Sequence, residues 1–291
     1  MKTILICPSE RRALAHLAET VPLVNIPMCG QTLLEYWLDH LATRKVTDLR
    51  ILATDRPEQI RELVEDGARW GIKIEVISEM TELTTGQARE RYRPSDEDGW
   101  AAEPLDVVIA DHLPGAETNT LLMTYSEWFS GLLAGLAEIS QSNRIGVREL
   151  RPGIWVGRRA SIASSARLEG PCWIGENVRI GAHATIGPNA VLENQVVAEQ
   201  ACEIAHSWVG PETFVGSLTR LSYSLAWGNK LINWRTASCA VVPDAFLMCS
   251  LSQKNLPAGS LSPAGRLGSF VQSTLSRPLE FWAAMREKLQ R

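Results

Sequence analysis

The chain has 291 residues, 45% of them hydrophobic and 21% charged, with a formal net charge of −4. One core rarely extends over so long a chain, so two domains are expected, and the composition excludes a disordered protein. The acidic balance excludes a general nucleic-acid or anionic-membrane binder. No apolar run approaches the roughly 18 residues that would span a bilayer, so no membrane insertion is expected. In MKTILICPSERR the charges follow the short apolar run too closely for a secretory signal. The six cysteines (Cys7, Cys29, Cys172, Cys202, Cys239, Cys249) form no CxxC pair and none lies beside a histidine at metal-ligand spacing. They read as buried reduced thiols of a cytoplasmic protein.

In chain order, KTILIC reads as a buried parallel strand. TLLEYWLDHLATRK reads as a helix with Leu33, Leu34, Trp37, Leu38 and Leu41 on one face. DLRILAT is a second strand and PEQIRELVEDGARWG a second helix with Pro57 near its start. IKIEVIS and LDVVIAD follow as strands, then LLMTYSEWFSGLLAGLAEI as a helix. Such alternation predicts a truncated, Rossmann-like, doubly wound parallel sheet over residues 1–145. Ligands of such sheets bind beyond the carboxyl ends of the strands, which singles out the loops after Ile6, Thr54, Ser78 and Ile109.

From Val156 the period changes to six. Val156, Ile162, Leu168, Ile174, Ile180, Ile186 and Leu192 are all aliphatic, and Ala160, Ala166, Cys172, Val178, Ala184, Ala190 and Val196, four places after each, are small or aliphatic. Six fits neither a lone helix nor an alternating strand. It fits a coil of three short strands per turn, with every sixth residue on the axis and glycine at the corners, where φ > 0 is needed. A left-handed parallel β-helix is therefore expected over residues 152–245. Val209, Val215 and Leu221 resume the ladder shifted by one residue. In SYSLAWGNKLINWRTAS, bulky and polar residues replace the small corner residues. That stretch is either a capping coil or a binding surface, with Trp227, Asn229, Lys230, Asn233, Trp234 and Arg235 as its ligand-binding candidates. Residues 246–291 read as an extended Ser/Pro/Gly tail ending in an amphipathic helix, RPLEFWAAMREKLQ. Ten tryptophans are many for this length. Tryptophan is too large for the axial position, so several should stand on outer faces, against the first domain or another subunit.

Residues 2–36 resemble the opening of the sugar-1-phosphate nucleotidylyltransferases. The family pattern K-A-V-I-L-A-G-G-x-G-T-R-L-x-P-L-T, followed by P-K-P-L-x-P and P-L-L-E-Y, lies without a gap on KTILICPSERRALAHLA and VPLVNIPMCGQTLLEY. Lys2, Leu14, Leu17, Pro22, Pro27, Leu33, Leu34, Glu35 and Tyr36 match it. Several members of that family continue into a left-handed β-helix. The resemblance implies nucleotide-sugar or cell-surface polysaccharide metabolism, a nucleotide or sugar nucleotide as ligand, Mg²⁺ if the protein is active, and Asp111 as the metal-binding, catalytic aspartate. Pro8, Ser9 and Arg11 stand in the three glycine positions, Ala13 in place of the motif arginine and Leu23 in place of the lysine. Arg11 and Arg12 are then the candidates for holding phosphate. The solenoid begins only about 40 residues after Asp111, too few for the family's sugar-binding portion. A divergent or non-catalytic member, working as a binding protein, scaffold or regulator, is the expectation.

EIAHSWVGPETFVGSLTRL resembles the acetyltransferase half of the bifunctional N-acetylglucosamine-1-phosphate uridylyltransferases. There the histidine of G-H-L-T is the general base. Ser217 stands at that position, as a ligand-binding candidate, which leaves His206 as a relocated catalytic base or a corner residue, and His183 as a corner residue. A homotrimer through the β-helix is expected, since solenoids of this type commonly associate that way.

Overall fold

The computed structural model describes residues 2–92, 106–115, 121–139 and 146–252. Four parallel strands, β1 (Lys2–Ile6), β2 (Asp48–Ala53), β3 (Lys73–Ser78) and β4 (Asp106–Ile109), form a sheet in the order β3-β2-β1-β4. The chain therefore runs outward from β1 to β3 and then crosses back to β4 on the other side. Side chains alternate across this sheet, and both faces are covered. Leu5 and Ile51 join the core beneath α1 (Leu33–Thr43), α2 (Pro57–Val64) and α4 (Tyr125–Ile139). Ile4, Ile6, Leu52 and Val107 pack with Ala88 of α3 (Thr85–Arg91) on the opposite face.

The helices differ from expectation at their ends. α1 begins where Thr32 and Glu35 close a reciprocal capping box. α2 stops at Val64 instead of running to Gly71, because Glu65 and Gly67 both take positive φ (50° and 77°). A Cβ on Gly67 would also run into the Ile72 carbonyl. α4 starts at Tyr125, where Thr124 Oγ1 accepts the Glu127 N–H at 3.1 Å. α3 is additional to the expected elements. It buries little more than Ala88, so it carries no apolar stripe, but Thr84 and Gln87 form a capping box at its start.

From Ile154 the chain winds into stacked coils with three parallel sheets. One face is built of Ile154–Val156, Cys172–Ile174, Ala190–Leu192, Ser207–Val209 and Ser224–Trp227. Val156 pairs with Ile174 and Ile174 with Leu192, a step of 18 residues per coil. All fourteen positions of the six-residue pattern lie in or against one axial core. The next step is 17 residues: Leu192 pairs with Val209, Ala198 with Val215 and Ile204 with Leu221. The residue is lost at one corner, where Ala205–His206 replaces Gly187–Pro188–Asn189, and that is the phase shift seen in the sequence.

The corners correct the role expected of glycine. Positive φ falls on Asn177 (56°), His183 (58°), Asn189 (54°), Gln195 (61°), Ala201 (54°), His206 (48°) and Tyr223 (54°), while of Gly157, Gly175, Gly181 and Gly187, which directly follow axial residues, only Gly187 (106°) takes it. Gly181 serves close approach instead: a Cβ there would stand 2.6 Å from the Gln200 backbone nitrogen of the next coil. Gly181→Ala is expected to destabilise the fold by about 2 kcal/mol through this overpacking, measured as a lower denaturant midpoint at unchanged m-value. A neutral substitution would mean that the coils can separate locally.

The stretch expected to be a capping coil or binding surface is not a coil. Ser224–Trp227, Lys230–Asn233 and Ser238–Val241 form an antiparallel meander that extends the long face. Its first turn is Gly228-Asn229, with Gly228 at φ 60°. At the other end, Arg148–Arg151, between the two expected domains, pairs antiparallel with Ile154–Val156. The first residues of the expected tail return as a strand, Met248–Ser250, beside Thr213–Val215. The Ser/Pro/Gly stretch from residue 253 and the terminal helix lie outside the described residues.

The outward side chains of the long face form a row, Trp155–Trp173–Val191–Trp208–Leu225. Trp173, Val191, Trp208, Leu225 and Ile232 belong to the same core as Trp128, Phe129, Leu132 and Leu136 of α4. One face of the solenoid is thus the floor on which the α/β half sits. All six cysteines are free, and Cys7, Cys29, Cys172 and Cys202 are buried. Burial pushes the thiols of Cys7, Cys172 and Cys202 up to about 12. Among the described residues no helix is long and apolar enough to cross a membrane.

Candidate functional site

In the β3-β2-β1-β4 order the connection reverses between β1 and β4, and a ligand crevice is expected beyond the carboxyl ends of such strands. The Ala110 N–H donates to the Ile6 carbonyl at 2.9 Å, so the loops after β1 and β4 leave the sheet side by side. They bring Ser9 and Arg11 from one strand end and Asp111 from the other to the same region. Arg11 is held in its charged form chiefly by hydrogen bonding to Glu82, and also by the nearby charges of Glu82 and Asp111.

Glu82, from the loop after β3, is the residue that the sequence reading missed. Its Oε2 accepts from the Ser9 N–H at 3.0 Å, the Ser9 Oγ at 2.7 Å and Arg11 Nη1 at 2.7 Å, while Oε1 accepts from Arg11 Nη2 at 2.7 Å. Burial alone would raise this carboxyl, but the hydrogen bonds from Arg11 and Ser9 outweigh it and hold it at about 2. Beside this cluster Ser9, Glu10, Thr54, Asp55, Met80 and Glu82 line an open depression of about 440 Å³. Thr54 Oγ1 is buried there with no hydrogen-bond partner among the described residues. Arg56 is turned away onto both Asp55 oxygens and the Ala18 carbonyl, at 2.7 Å each. Arg12 is exposed on a short 3-10 turn, Arg12–Leu14.

Two features bear on transfer chemistry. Leu23, in the position of the family lysine, is 1% exposed and packed in the core under α1, so that position presents no cation to the crevice. Asp111 Oδ1 is 2.7 Å from His112 Nδ1, and no group of three or more His, Cys, Asp or Glu side chains that would hold a metal occurs among the described residues. As arranged, the donors do not fit a Mg²⁺ ion, which takes near-octahedral oxygen ligation.

The solenoid candidates separate into two groups at opposite ends of the meander. Trp227 and Lys230 face each other across the first turn beside exposed Asn229. Trp227 meets Trp208 edge-on, with centroids 5.6 Å apart, and Lys230 forms an ion pair with Glu19, holding that carboxyl below the usual range. At the other end Asn233 Oδ1 accepts from the Arg235 and Thr236 N–H groups and so closes a turn. Trp234 stacks on Phe129 of α4 at 5.0 Å and donates its indole N–H to the His206 carbonyl at 2.8 Å. Trp227 and Trp234 therefore do not form one platform, and both are committed to packing.

His206 belongs to a column of corner residues, Asn189–His206–Tyr223. Its ring stacks on Tyr223 (5.1 Å, 7°), its Nδ1 lies 3.1 Å from the Asn189 side-chain amide, and the Arg235 guanidinium covers Tyr223 at 4.9 Å. Ser217 is exposed on the Leu218 corner, in the column of His183 and Ala201, so it does not share a corner with His206.

A further polar group missed in the sequence is Glu193, fully buried between the two halves. Oε1 accepts from the Cys29 N–H at 2.7 Å and the Trp208 indole at 3.0 Å, and Oε2 from the Gly30 N–H at 2.8 Å. Cys29 and Gly30 are the two positive-φ residues (56° and 80°) of the turn between Pro27–Met28 and Gln31–Thr32. That turn lies in the stretch resembling the nucleotidylyltransferases, so Glu193 ties it to the solenoid.

Residues 153–188 match the family model described as bacterial transferase hexapeptide (six repeats). The match covers the first coils. With the 18-residue recurrence of parallel strands, it fits a left-handed β-helix and assigns this stretch to a hexapeptide-repeat solenoid, behind a parallel α/β sheet.

Proposed function

We propose that this is a nucleotidylyltransferase-like protein of nucleotide-sugar or cell-surface polysaccharide metabolism that binds a nucleotide or sugar nucleotide without transferring it. The observation that carries this reading is the loop after β1, where Ser9 and Arg11 converge on the Glu82 carboxylate beside an open depression at the carboxyl ends of β1, β2 and β3. The burial of Leu23 and the lack of a metal-holding group among the described residues speak against turnover. The match to a transferase repeat supports a transferase-related setting. The chain works as a homotrimer in this reading, with the solenoid faces not covered by the α/β half turned toward neighbouring copies.

A melting-temperature screen of nucleotides, sugar nucleotides and acyl-CoAs tests it. Nucleotides or sugar nucleotides should raise the transition by several degrees, as preferential binding to the folded state requires, with no pyrophosphate release from NTP and sugar 1-phosphate. Stabilisation confined to acyl-CoAs would sink this reading in favour of the second.

That second reading is a hexapeptide acyltransferase with His206 as base. The hexapeptide transferase match favours it; the Asn189 amide nitrogen donates to Nδ1, so the neutral ring carries its proton on Nε2 and must exchange that contact before it accepts a proton. It requires thiol release from acetyl-CoA that disappears in His206→Ala.

A further inference from the structure

The loop after β1 gathers four donors on one anion, and that anion is supplied by the protein itself. The Ser9 N–H and Oγ and both terminal nitrogens of Arg11 reach Glu82 at 2.7–3.0 Å. Arg11 Nη1 also bonds Ser9 Oγ at 3.0 Å and the Ser9 carbonyl at 3.2 Å, so the guanidinium braces the loop that presents the other donors. A backbone N–H, a hydroxyl and a bidentate guanidinium around one centre recognise a phosphate oxygen set as well as a carboxylate.

Glu82 is only half-buried, in contrast to Glu193. Met80 is 98% exposed, and the depression lined by Ser9, Thr54, Asp55 and Met80 opens directly onto the ion pair. The neighbouring Arg56 is already satisfied by Asp55, so Arg11 is the cation that an incoming anion would have to win.

We propose that the Ser9–Arg11 loop is an oxyanion cradle for the phosphate groups of the ligand, and that Glu82 is a resident competitor which must leave before phosphate binds. This rests on the reading of the crevice as a nucleotide or sugar-nucleotide site and adds its gate. Because Glu82 is tethered, it competes at a high effective concentration, so the native protein binds phosphates weakly until the loop after β3 moves.

The test is calorimetric titration of the full chain with inorganic pyrophosphate at low ionic strength, for wild type, Glu82→Gln and Glu82→Gln/Arg11→Gln. Glu82→Gln should bind pyrophosphate at least tenfold more tightly than wild type. The gain should vanish in the double variant and shrink with added salt. Equal affinities for wild type and Glu82→Gln, or a gain that survives the loss of Arg11, would overturn the proposal. If Glu82→Gln is misfolded by near-UV circular dichroism, Glu82→Asp replaces it. That carboxylate is retracted by one methylene, so a smaller gain is expected and no gain is again contrary. Titrating UTP and UDP-sugars on the same variants separates the two readings. Nucleotide binding that ignores Glu82→Gln removes the gate and leaves the function. A pyrophosphate gain with no nucleotide binding in any variant leaves the cradle and removes the function.

Discussion

Glu193→Ala is expected to destabilise the chain by about 3–5 kcal/mol, since each buried donor left without an acceptor costs about 1–3 kcal/mol. The substitution leaves the Cys29 N–H, the Gly30 N–H and the Trp208 indole N–H without their acceptor, between two halves packed too closely for the turn to shift. In the folded protein a Cβ on Gly30 would already stand 2.9 Å from the Trp173 ring. Glu193→Gln is informative beside it. The two carboxylate oxygens accept from separate N–H groups, so an amide must point its NH₂ at one of these donors. A loss intermediate between wild type and alanine follows. Guanidinium titration followed by tryptophan fluorescence reads both, and a loss below about 1 kcal/mol for alanine would show that water replaces the carboxylate.

Trp208→Ala should be of similar size, about 4 kcal/mol, as for other fully buried tryptophans reduced to alanine. Trp208 is 0% exposed and sits edge-on between Trp128 of α4 and Trp227 of the meander, at 5.3 and 5.6 Å. Its removal opens a cavity in the one core shared by the two halves. Trp208→Phe keeps most of the ring and loses the hydrogen bond to Glu193, so about 1–2 kcal/mol is expected. Because Glu193 and Trp208 share that bond, the double variant Glu193→Ala/Trp208→Phe should be less destabilised than the sum of the singles, by roughly 0.5–1 kcal/mol. Strict additivity would mean that the two side chains act independently.

These residues also show where sequence reading reaches its limit. The six-residue period fixes the axial side chains because a coil repeats its environment, and a one-residue slip at Val209 reports a shortened corner directly. Size alone puts Trp173 and Trp208 outside the axis. Glu193, by contrast, is one glutamate in VLENQ, and its backbone partners are 163 and 164 residues away. Nothing local distinguishes it from a solvated corner residue. Arg11 was legible as a cation near the crevice, but its partner Glu82 lies 71 positions further on. The meander had a local signal, the Gly228-Asn229 turn, which the stronger expectation of another coil masked. α3 was missed for the opposite reason: TTGQARER has no apolar stripe, and only its Thr84–Gln87 box announced it.

The proposed nucleotide site at the carboxyl ends of the sheet strands is tested most directly by calorimetric titration of the intact protein with UTP and UDP-sugars, run beside a pyrophosphate-release assay and repeated with Arg11→Ala. Saturable binding to the wild type, weakened at least tenfold in Arg11→Ala and accompanied by no turnover, is the predicted result. Steady pyrophosphate release, or binding indifferent to Arg11 and lost instead in His206→Ala, would contradict a non-transferring nucleotide site in the α/β half.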